Sequence, residues 1–260
     1  MSTRHLLTLD APVTAADVTK FLPHLENALA GNGPAVHALP RGKADQHSVG
    51  SRPLEFDDIA VVVSTSGTSG QPKLAMLSRS AITASVAATH QALGGPGRWL
   101  LMVPTSHIAG VQVLTRSIMA GYSPTVLDLS TSFRSKGFAA AVDNLLGAAG
   151  SERRYTSLVP TQLRRILDAG AEAVAQLVAF DAVLLGGSAP PPALVERAEG
   201  AGINIVESYG MTETSAGCVY DGMPLTGVQV TLGASDRIEI RGPVIFSGYH
   251  GEPELSRIAL

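Results

Sequence analysis

From residue 55 onward, short apolar runs alternate with longer stretches whose apolar positions recur every three or four residues. Ile59–Val63 is β-branched and of strand length, and a small polar loop, Ser64–Gly70, follows it. Ser78–Leu93 has helical spacing, with Ser78 placed to cap it and Gly94-Gly95-Pro96 to stop it. The same reading predicts a strand at Trp99–Val103, a helix at Ile108–Ala120, a strand at Pro124–Leu129 and a helix at Ser135–Ala149. It continues with a strand at Tyr155–Val159, a helix at Gln162–Val178 interrupted near Gly170, and a strand at Asp181–Leu185. Pro190–Ala201 begins with three prolines and runs on as a helix, since the first helical turn tolerates a missing N–H. Ile203–Glu207 closes the series as a strand. Such alternation predicts an α/β fold, a mostly parallel sheet flanked by helices.

Beyond Tyr220 the character changes. Val228–Leu232, Arg237–Arg241 and Val244–Ser247 are short, closely spaced apolar runs with no helical segment between them, which predicts a small antiparallel β region. Ahead of the alternating region, Ala15–Ala30 has helical spacing and Gly31–Arg52 reads as a connector rich in Gly, Pro and His. The expected organisation is a short N-terminal segment (1–54), an α/β core (55–220) and a small β subdomain (221–260).

Composition narrows the function classes. The chain has 260 residues, 45% hydrophobic and 16% charged, with a formal net charge of −3, so it can bury a substantial core and is not disordered. Its 27 glycines follow no period and Cys218 is its single cysteine, which excludes collagen-like and disulfide-stapled designs and suits a reducing compartment such as the cytoplasm. No basic stripe marks a nucleic-acid partner, and no apolar run approaches the roughly 18 residues of a membrane span. Of 19 basic residues only four are lysines (Lys20, Lys43, Lys73 and Lys136), so each is informative.

One of them follows a run of hydroxyls and glycines, Ser64-Thr65-Ser66-Gly67-Thr68-Ser69-Gly70-Gln71-Pro72-Lys73, read as lying between a strand and a helix. Glycines let backbone N–H groups turn toward an anion, hydroxyls add donors and Lys73 adds charge. The spacing is not that of a GxxxxGK[ST] phosphate loop. Four further segments stand out in order: Val103-Pro104-Thr105-Ser106-His107-Ile108-Ala109-Gly110, Leu185-Gly186-Gly187-Ser188, Glu207-Ser208-Tyr209-Gly210-Met211-Thr212-Glu213, and Ile238-Glu239-Ile240-Arg241-Gly242-Pro243 with Gly248-Tyr249. Together these five segments resemble the motifs of the adenylate-forming superfamily, which includes acyl-CoA synthetases, peptide-synthetase adenylation domains and luciferases. The resemblance implies ATP-dependent activation of a carboxylate to an acyl adenylate, followed by transfer to coenzyme A.

By motif match, Thr65, Ser66, Gly67, Thr68, Ser69 and Gly70, with Lys73, would embrace the β- and γ-phosphates of ATP. Glu213 would ligate Mg²⁺, and Thr212 would bond the α-phosphate. Ser208, Tyr209, Gly210 and Met211 would lie beside the adenine, with Gly210 permitting close approach, and Gly186, Gly187 and Ser188 would form the adenine-side turn. His107 would border the acyl group. The remaining histidines follow no metal-ligand spacing and read as surface or structural, and Cys218 reads as a small packed residue.

The stretches Gly217–Val228, His107–Leu114 and Tyr155–Leu163, with the short region ahead of the hydroxyl-rich loop, resemble the short actinobacterial branch of the 2-succinylbenzoate–CoA ligases. That resemblance implies an aromatic acid with a second carboxylate, on the route to menaquinone. The slot would use Gly110, Leu158 and Val159. Anchors would come from His107, Thr161, Ser215 or one of the arginines, Arg116 among them. It also raises a homodimer as an expectation. No ribose-binding T-G-D motif or lysine-bearing lid domain follows Tyr249, so the chain reads as the larger, N-terminal part of such a ligase, impaired when alone. Two alternatives stay open: a ligase for another aryl or small carboxylic acid, and a non-catalytic module that binds AMP or an acyl adenylate.

Overall fold

The computed structural model describes residues 4–44, 53–65 and 72–260. Two sheets enclose a layer of three helices, and a second helical layer covers the far face of the larger sheet. The smaller sheet holds β1 (Leu6–Asp10), β2 (Ala35–Leu39), β3 (Ile59–Thr65) and β4 (Lys73–Ser78) in sequential order. The first three are parallel and β4 runs antiparallel to β3. The helix α1 (Ala15–Ala30) crosses between β1 and β2. It starts where the Thr14 hydroxyl accepts from Asp17 N (3.2 Å) and the Asp17 carboxylate accepts from Thr14 N (3.1 Å), and it ends on Gly31 at φ 81°.

The larger sheet begins with β5 (Gly97–Leu101), followed in the chain by α3 (Ile108–Ala120), β6 (Thr125–Val126), α4 (Ser135–Ala149) and β7 (Arg153–Leu158). Then come α5 (Pro160–Asp168), α6 (Ala171–Val178), β8 (Ala182–Leu185), α7 (Pro192–Gly200), β9 (Ile205–Met211), β10 (Ala216–Tyr220) and β11 (Met223–Pro224). Its spatial order is β11-β10-β9-β8-β7-β5-β6, parallel from β6 to β9 and antiparallel at β10 and β11. Helix α2 (Arg79–Ala92), capped by Ser78 as expected (Ala81 N to Ser78 Oγ, 3.1 Å), joins α1 and α3 in the layer between the sheets. The last elements are the antiparallel pair β12 (Gln229–Leu232) and β13 (Ile238–Arg241) and the helix α8 (Pro253–Ala259).

Side-chain alternation along the strands divides the core. Trp99, Leu101 and Val103 face α1–α3 and the smaller sheet, whereas Leu100 and Met102 face α4–α7. Both faces of the parallel strands are buried, so they read as continuous apolar runs in the sequence. Ala35, Leu54, Ile59, Val62 and Met76 form a third, small cluster on the other face of the smaller sheet.

Four local expectations need correction. The 31–52 connector contains β2, whose five residues are all buried; the flanking Gly33, Pro34 and Pro40 bound the strand without breaking it. The hydroxyl-rich loop joins two strands, β3 and β4, with Thr65 paired opposite Lys73, because Leu74–Leu77 closes a hairpin before the helix begins. Val244–Ser247 is not a strand. It approaches the edge of β4, where Ser247 N donates to Met76 O (2.8 Å), and makes only a single bridge, Ala75 to Tyr249. Pairing at 124–129 is limited to the two residues of β6.

Candidate active site

The chain leaves β5 through α3 to β6 on one side, then returns through α4 to β7 on the other, so strand order reverses at β5. Open α/β sheets bind ligands outside the carboxyl ends of the strands at such a reversal. A narrow inner pocket of about 110 Å³ lies there. It is walled by Val103 beyond β5, Ser157, Leu158 and Val159 at the end of β7, Gly186 and Gly187 after β8, and Ser208, Gly210 and Met211 on β9. Ile108, Ala109 and Arg116 of α3 complete it with Ala216 and Gly217 of β10. A wider outer cavity of about 510 Å³ shares Gly187, Ser208 and Gly210 with it and adds Ser188, Glu207, Tyr209 and Asp221. Tyr209 presents a 44% exposed ring there, a flat apolar surface suited to a base.

Gly210 is required by the protein itself. A Cβ at this position would stand 2.1 Å from Ala216 O, so glycine is what lets β9 and β10 close on each other. The close approach read from the sequence is therefore made by β10. Gly110 behaves likewise: its Cβ would meet Pro104 O at 2.4 Å, so it packs α3 against the turn before it, while its neighbours Ile108 and Ala109 face the pocket.

Arg116 is the charged residue of the inner wall. It is 2% exposed, its guanidinium lies 4.9 Å from the Trp99 ring, and one terminal nitrogen donates toward Thr89 Oγ1 (3.3 Å) and Tyr220 OH (3.4 Å). Among the described residues no carboxylate pairs with it and its Nε has no partner. Burial lowers its pKa, and burial together with the Arg116 charge lowers that of the nearby His90 to about 4, keeping that imidazole neutral at physiological pH.

The Y-G-M-T-E segment ends β9 and enters a single 3₁₀ turn, Thr212–Thr214. Thr214 Oγ1 accepts from Met211 N (2.9 Å) and donates to Ala216 O (2.7 Å). Ser215 and Ala216 follow with φ of 54° and 86°, a left-handed backbone that costs energy for non-glycine residues. Gln112 Nε2 (2.6 Å) and Ser85 Oγ (2.9 Å) hold this turn by donating to Ser215 O, and Ser215 Oγ donates to Val244 O (2.8 Å). Thr212 and Glu213 are thereby presented, partly exposed, at the rim. There the Tyr249 hydroxyl donates to Glu213 Oε1 (2.7 Å), and the Lys73 ammonium sits 5.1 Å from the centre of the Tyr249 ring. Burial and then the Glu213 carboxylate push the Tyr249 phenol upward from its ordinary pKa, so it stays a donor.

The fold thus brings Lys73 and Glu213 together at Tyr249, with Thr212 next to Glu213 in the chain, while Leu158, Val159, Gly186 and Gly187 wall the inner pocket and Tyr209 the outer cavity. Thr65 and Lys73 bracket the hydroxyl-rich loop, whose Ser66, Gly67, Thr68, Ser69 and Gly70 lie outside the described residues. Besides Gly110, which packs against Pro104 and lines neither cavity, three expected substrate contacts sit elsewhere. Ser215 is fully buried with its hydroxyl committed to Val244 O, Thr161 is exposed in the first turn of α5, and His107 is exposed at the head of α3; none walls either cavity. Cys218 is buried, and burial raises its thiol pKa, as suits a packed residue. Asp221 was given no role from the sequence, and Tyr249 entered only as part of a motif. The signal for Asp221 was the Asp-Gly pair, which makes the β10–β11 turn with both φ values positive. For Tyr249 it was the Gly-Tyr pair already noted.

A hard divalent ion that arrives on phosphates keeps several waters and takes only one or two protein carboxylates. The rim fits that demand through Glu213. Among the described residues no group of three or more His, Cys, Asp or Glu side chains is assembled into a self-sufficient metal cage. No helix is long and apolar enough to cross a membrane, again among the described residues.

Residues 8–250 match the family model described as AMP-binding enzyme. The chain is 47% identical over 234 residues to a probable 2-succinylbenzoate–CoA ligase of Mycobacterium tuberculosis H37Rv, covering 88% of this chain and 59% of that protein. It is 28% identical over 284 residues to the 2-succinylbenzoate–CoA ligase of Enterococcus faecalis, covering 95% of this chain and 56% of that one. The chain therefore spans less than two thirds of the length of these curated relatives. Among solved structures, O-succinylbenzoate coenzyme A synthetase from Bacillus subtilis in complex with AMP superposes with a TM-score of 0.71 at 18% identity, covering all of this chain and 80% of that one. A malonyl-CoA ligase bound to methylmalonyl-CoA and AMP gives 0.72 at 24% identity, covering 98% of this chain and 66% of that one. These two likenesses are of fold.

Proposed function

This chain belongs to the AMP-binding enzyme family, and from that membership we propose that it forms the nucleotide- and acid-binding part of an ATP-dependent acid–CoA ligase acting on 2-succinylbenzoate in menaquinone biosynthesis. One observation carries the choice of acid. The lining of the inner pocket includes Arg116, a buried arginine with no carboxylate partner among the described residues, beside apolar Ile108, Leu158 and Val159. An aryl acid that brings a second carboxylate supplies the missing charge and fills the apolar slot.

In this reading the reacting carboxylate attacks the α-phosphorus of ATP, the bond to the β-phosphate oxygen breaks, and acyl-AMP and pyrophosphate result. The coenzyme A thiol then displaces AMP. Lys73 and Thr65, with Ser66–Gly70, meet the charge on the outer phosphates, and Thr212 bonds the α-phosphate. Glu213 would hold Mg²⁺, and the ion would supply positive charge to the phosphate oxygens. Tyr209, Gly186, Gly187 and Ser188 frame the adenine. We place the protein in the cytoplasm, where a single thiol stays reduced, and light scattering tests whether it pairs as a homodimer.

The likeness to a malonyl-CoA ligase favours a second reading, a small dicarboxylic acid, which the same arginine also suits. Calorimetric titration with non-hydrolysable adenylates of 2-succinylbenzoate, benzoate and malonate separates the two. The first binds at least tenfold tighter than the others, about 1.4 kcal/mol, if the proposal is right. Equal binding of the two aromatic mimics removes the role of the second carboxylate, and preference for the malonyl mimic installs the smaller acid.

A further inference from the structure

We infer that Tyr249 is a positioning residue of the rim: its hydroxyl aims the Glu213 carboxylate while its ring holds the Lys73 ammonium apart from that carboxylate. The inference rests on the reading of Lys73 and Glu213 as the groups that handle phosphate and metal. Both contacts come from one side chain, through the hydroxyl donating to Glu213 Oε1 at 2.7 Å and through the ring at 5.1 Å from Lys73 Nζ.

The backbone around Tyr249 is fastened to the segments that carry both partners. Its segment lies along β4, the strand that starts with Lys73: Met76 N donates to Gly248 O (2.9 Å), His250 N donates to Leu74 O (2.8 Å), and Ala75 bridges Tyr249 itself. Glu213 is tied to the same segment three residues earlier, where Phe246 N donates to Glu213 O (2.9 Å). The Phe246 ring packs edge-on against Tyr249 at 4.9 Å, and Tyr249 N donates to Ser256 Oγ (2.8 Å). Two turns that approach from different parts of the chain thus meet at one phenol.

This arrangement addresses a conflict in any site that needs a cation and a metal-binding carboxylate close together. Paired with each other, they would cancel, and each would have to be released before meeting a phosphate or a metal. Among the described residues Lys73 and Glu213 form no ion pair. An aromatic face attracts the ammonium without neutralising a charge, and a phenol donor fixes one carboxylate oxygen while the other stays open.

The test is ATP binding by equilibrium dialysis at increasing Mg²⁺, on the whole chain, for wild type, Tyr249→Phe, Tyr249→Leu, Phe246→Leu and Glu213→Gln. Tyr249→Phe keeps the ring, so it should raise the Mg²⁺ midpoint about threefold or more and leave metal-free ATP binding unchanged. Tyr249→Leu should raise the midpoint equally and also weaken metal-free binding, because the ammonium has lost its seat. Phe246→Leu loosens the same packing with the hydroxyl in place and should leave the midpoint where it was. A Tyr249→Phe midpoint equal to wild type, while Glu213→Gln shifts it, overturns the inference alone. Equal shifts in Phe246→Leu and Tyr249→Phe reduce Tyr249 to packing and also overturn it. An unmoved Glu213→Gln midpoint removes the metal reading of Glu213 itself, and the inference with it.

Discussion

The wall that α3 gives the inner pocket and the rim that carries Lys73, Glu213 and Tyr249 serve the same cleft, but they are built differently. On the wall, Gln112, Thr115, Arg116 and Ser117 are all buried, and Gln112 reaches Ser215 O while Thr115 Oγ1 donates to Gln112 Oε1 (2.7 Å). On the rim, Lys73 and Glu213 are partly exposed and come from a strand end and a turn, while the Tyr249 between them is buried. Moving anything on the wall disturbs two sheets at once, since α3 packs between them. Lys73 and Glu213 can change charge or partner with little effect on the core, whereas Tyr249 belongs to it. On the proposed function, selectivity would belong with the rigid wall and phosphate handling with Lys73 and Glu213.

The largest expected effect is on the wall's foundation. Gly110→Ala forces a Cβ to within 2.4 Å of Pro104 O and 2.7 Å of Thr105 Cα, backbone atoms that cannot step aside singly. We expect a loss of about 3–4 kcal/mol of stability, read as a large drop in unfolding midpoint in urea. A near-normal midpoint would mean α3 can slide, and the contrast between wall and rim would weaken.

Arg116→Met comes next. Replacing a buried, unpaired charge with an apolar side chain of similar length should leave stability unchanged or slightly raised. Affinity for the 2-succinylbenzoyl adenylate mimic should fall about a hundredfold, with the benzoyl mimic unaffected. Equal losses for both mimics would show that the arginine shapes the pocket without reading the second carboxylate.

The wall also carries a pH dependence. His90 has its folded pKa depressed to about 4 by burial and by Arg116, below the ordinary imidazole value near 6.5. The unfolded chain takes up the proton first as pH falls, so stability declines from about pH 6.5 down to about pH 4 and the contribution levels off below. The total is on the order of 2 kcal/mol after allowing for partial exposure. His90→Leu should flatten that part of a stability–pH curve. Glu55, whose burial opposes but does not outweigh the His250 and Gly251 hydrogen bonds that lower its pKa, adds a separate decline as pH falls from the ordinary carboxylate pKa through its lowered folded one.

How much of this was legible in the sequence follows the same division. Helices α3 and α4 run over the residues their periodicity predicts because Gly121 and Gly150 stop them locally. Strands β1, β2 and β4 escaped because each is five or six residues long and owes its existence to pairing with the next strand. The motifs named most rim residues and the glycine turns at the strand ends. They offered Arg116 only as one of several arginines and gave Tyr249 no role within its motif, since the contacts that define those residues span 104 and 36 positions along the chain. Ser215 was misjudged because its chemistry as a residue type suits an anchor, whereas its left-handed backbone and buried bonds serve the turn.

The smallest expected effect is at the rim and completes the contrast. Lys73→Gln removes an ammonium that is partly exposed and rests on a ring, a contact worth about 0.5–1 kcal/mol at such sites. The urea midpoint should therefore shift by less than about 1 kcal/mol in stability terms. ATP affinity should still fall roughly tenfold, about 1.4 kcal/mol, because an outer phosphate loses its cation. The adenylate mimics, which carry no outer phosphates, should bind as before. If Lys73→Gln instead weakens the mimics as much as ATP, the rim and the wall are energetically one unit. The division of labour drawn from their burial would then be wrong, and the Arg116 and Lys73 effects would fail to add in the double variant.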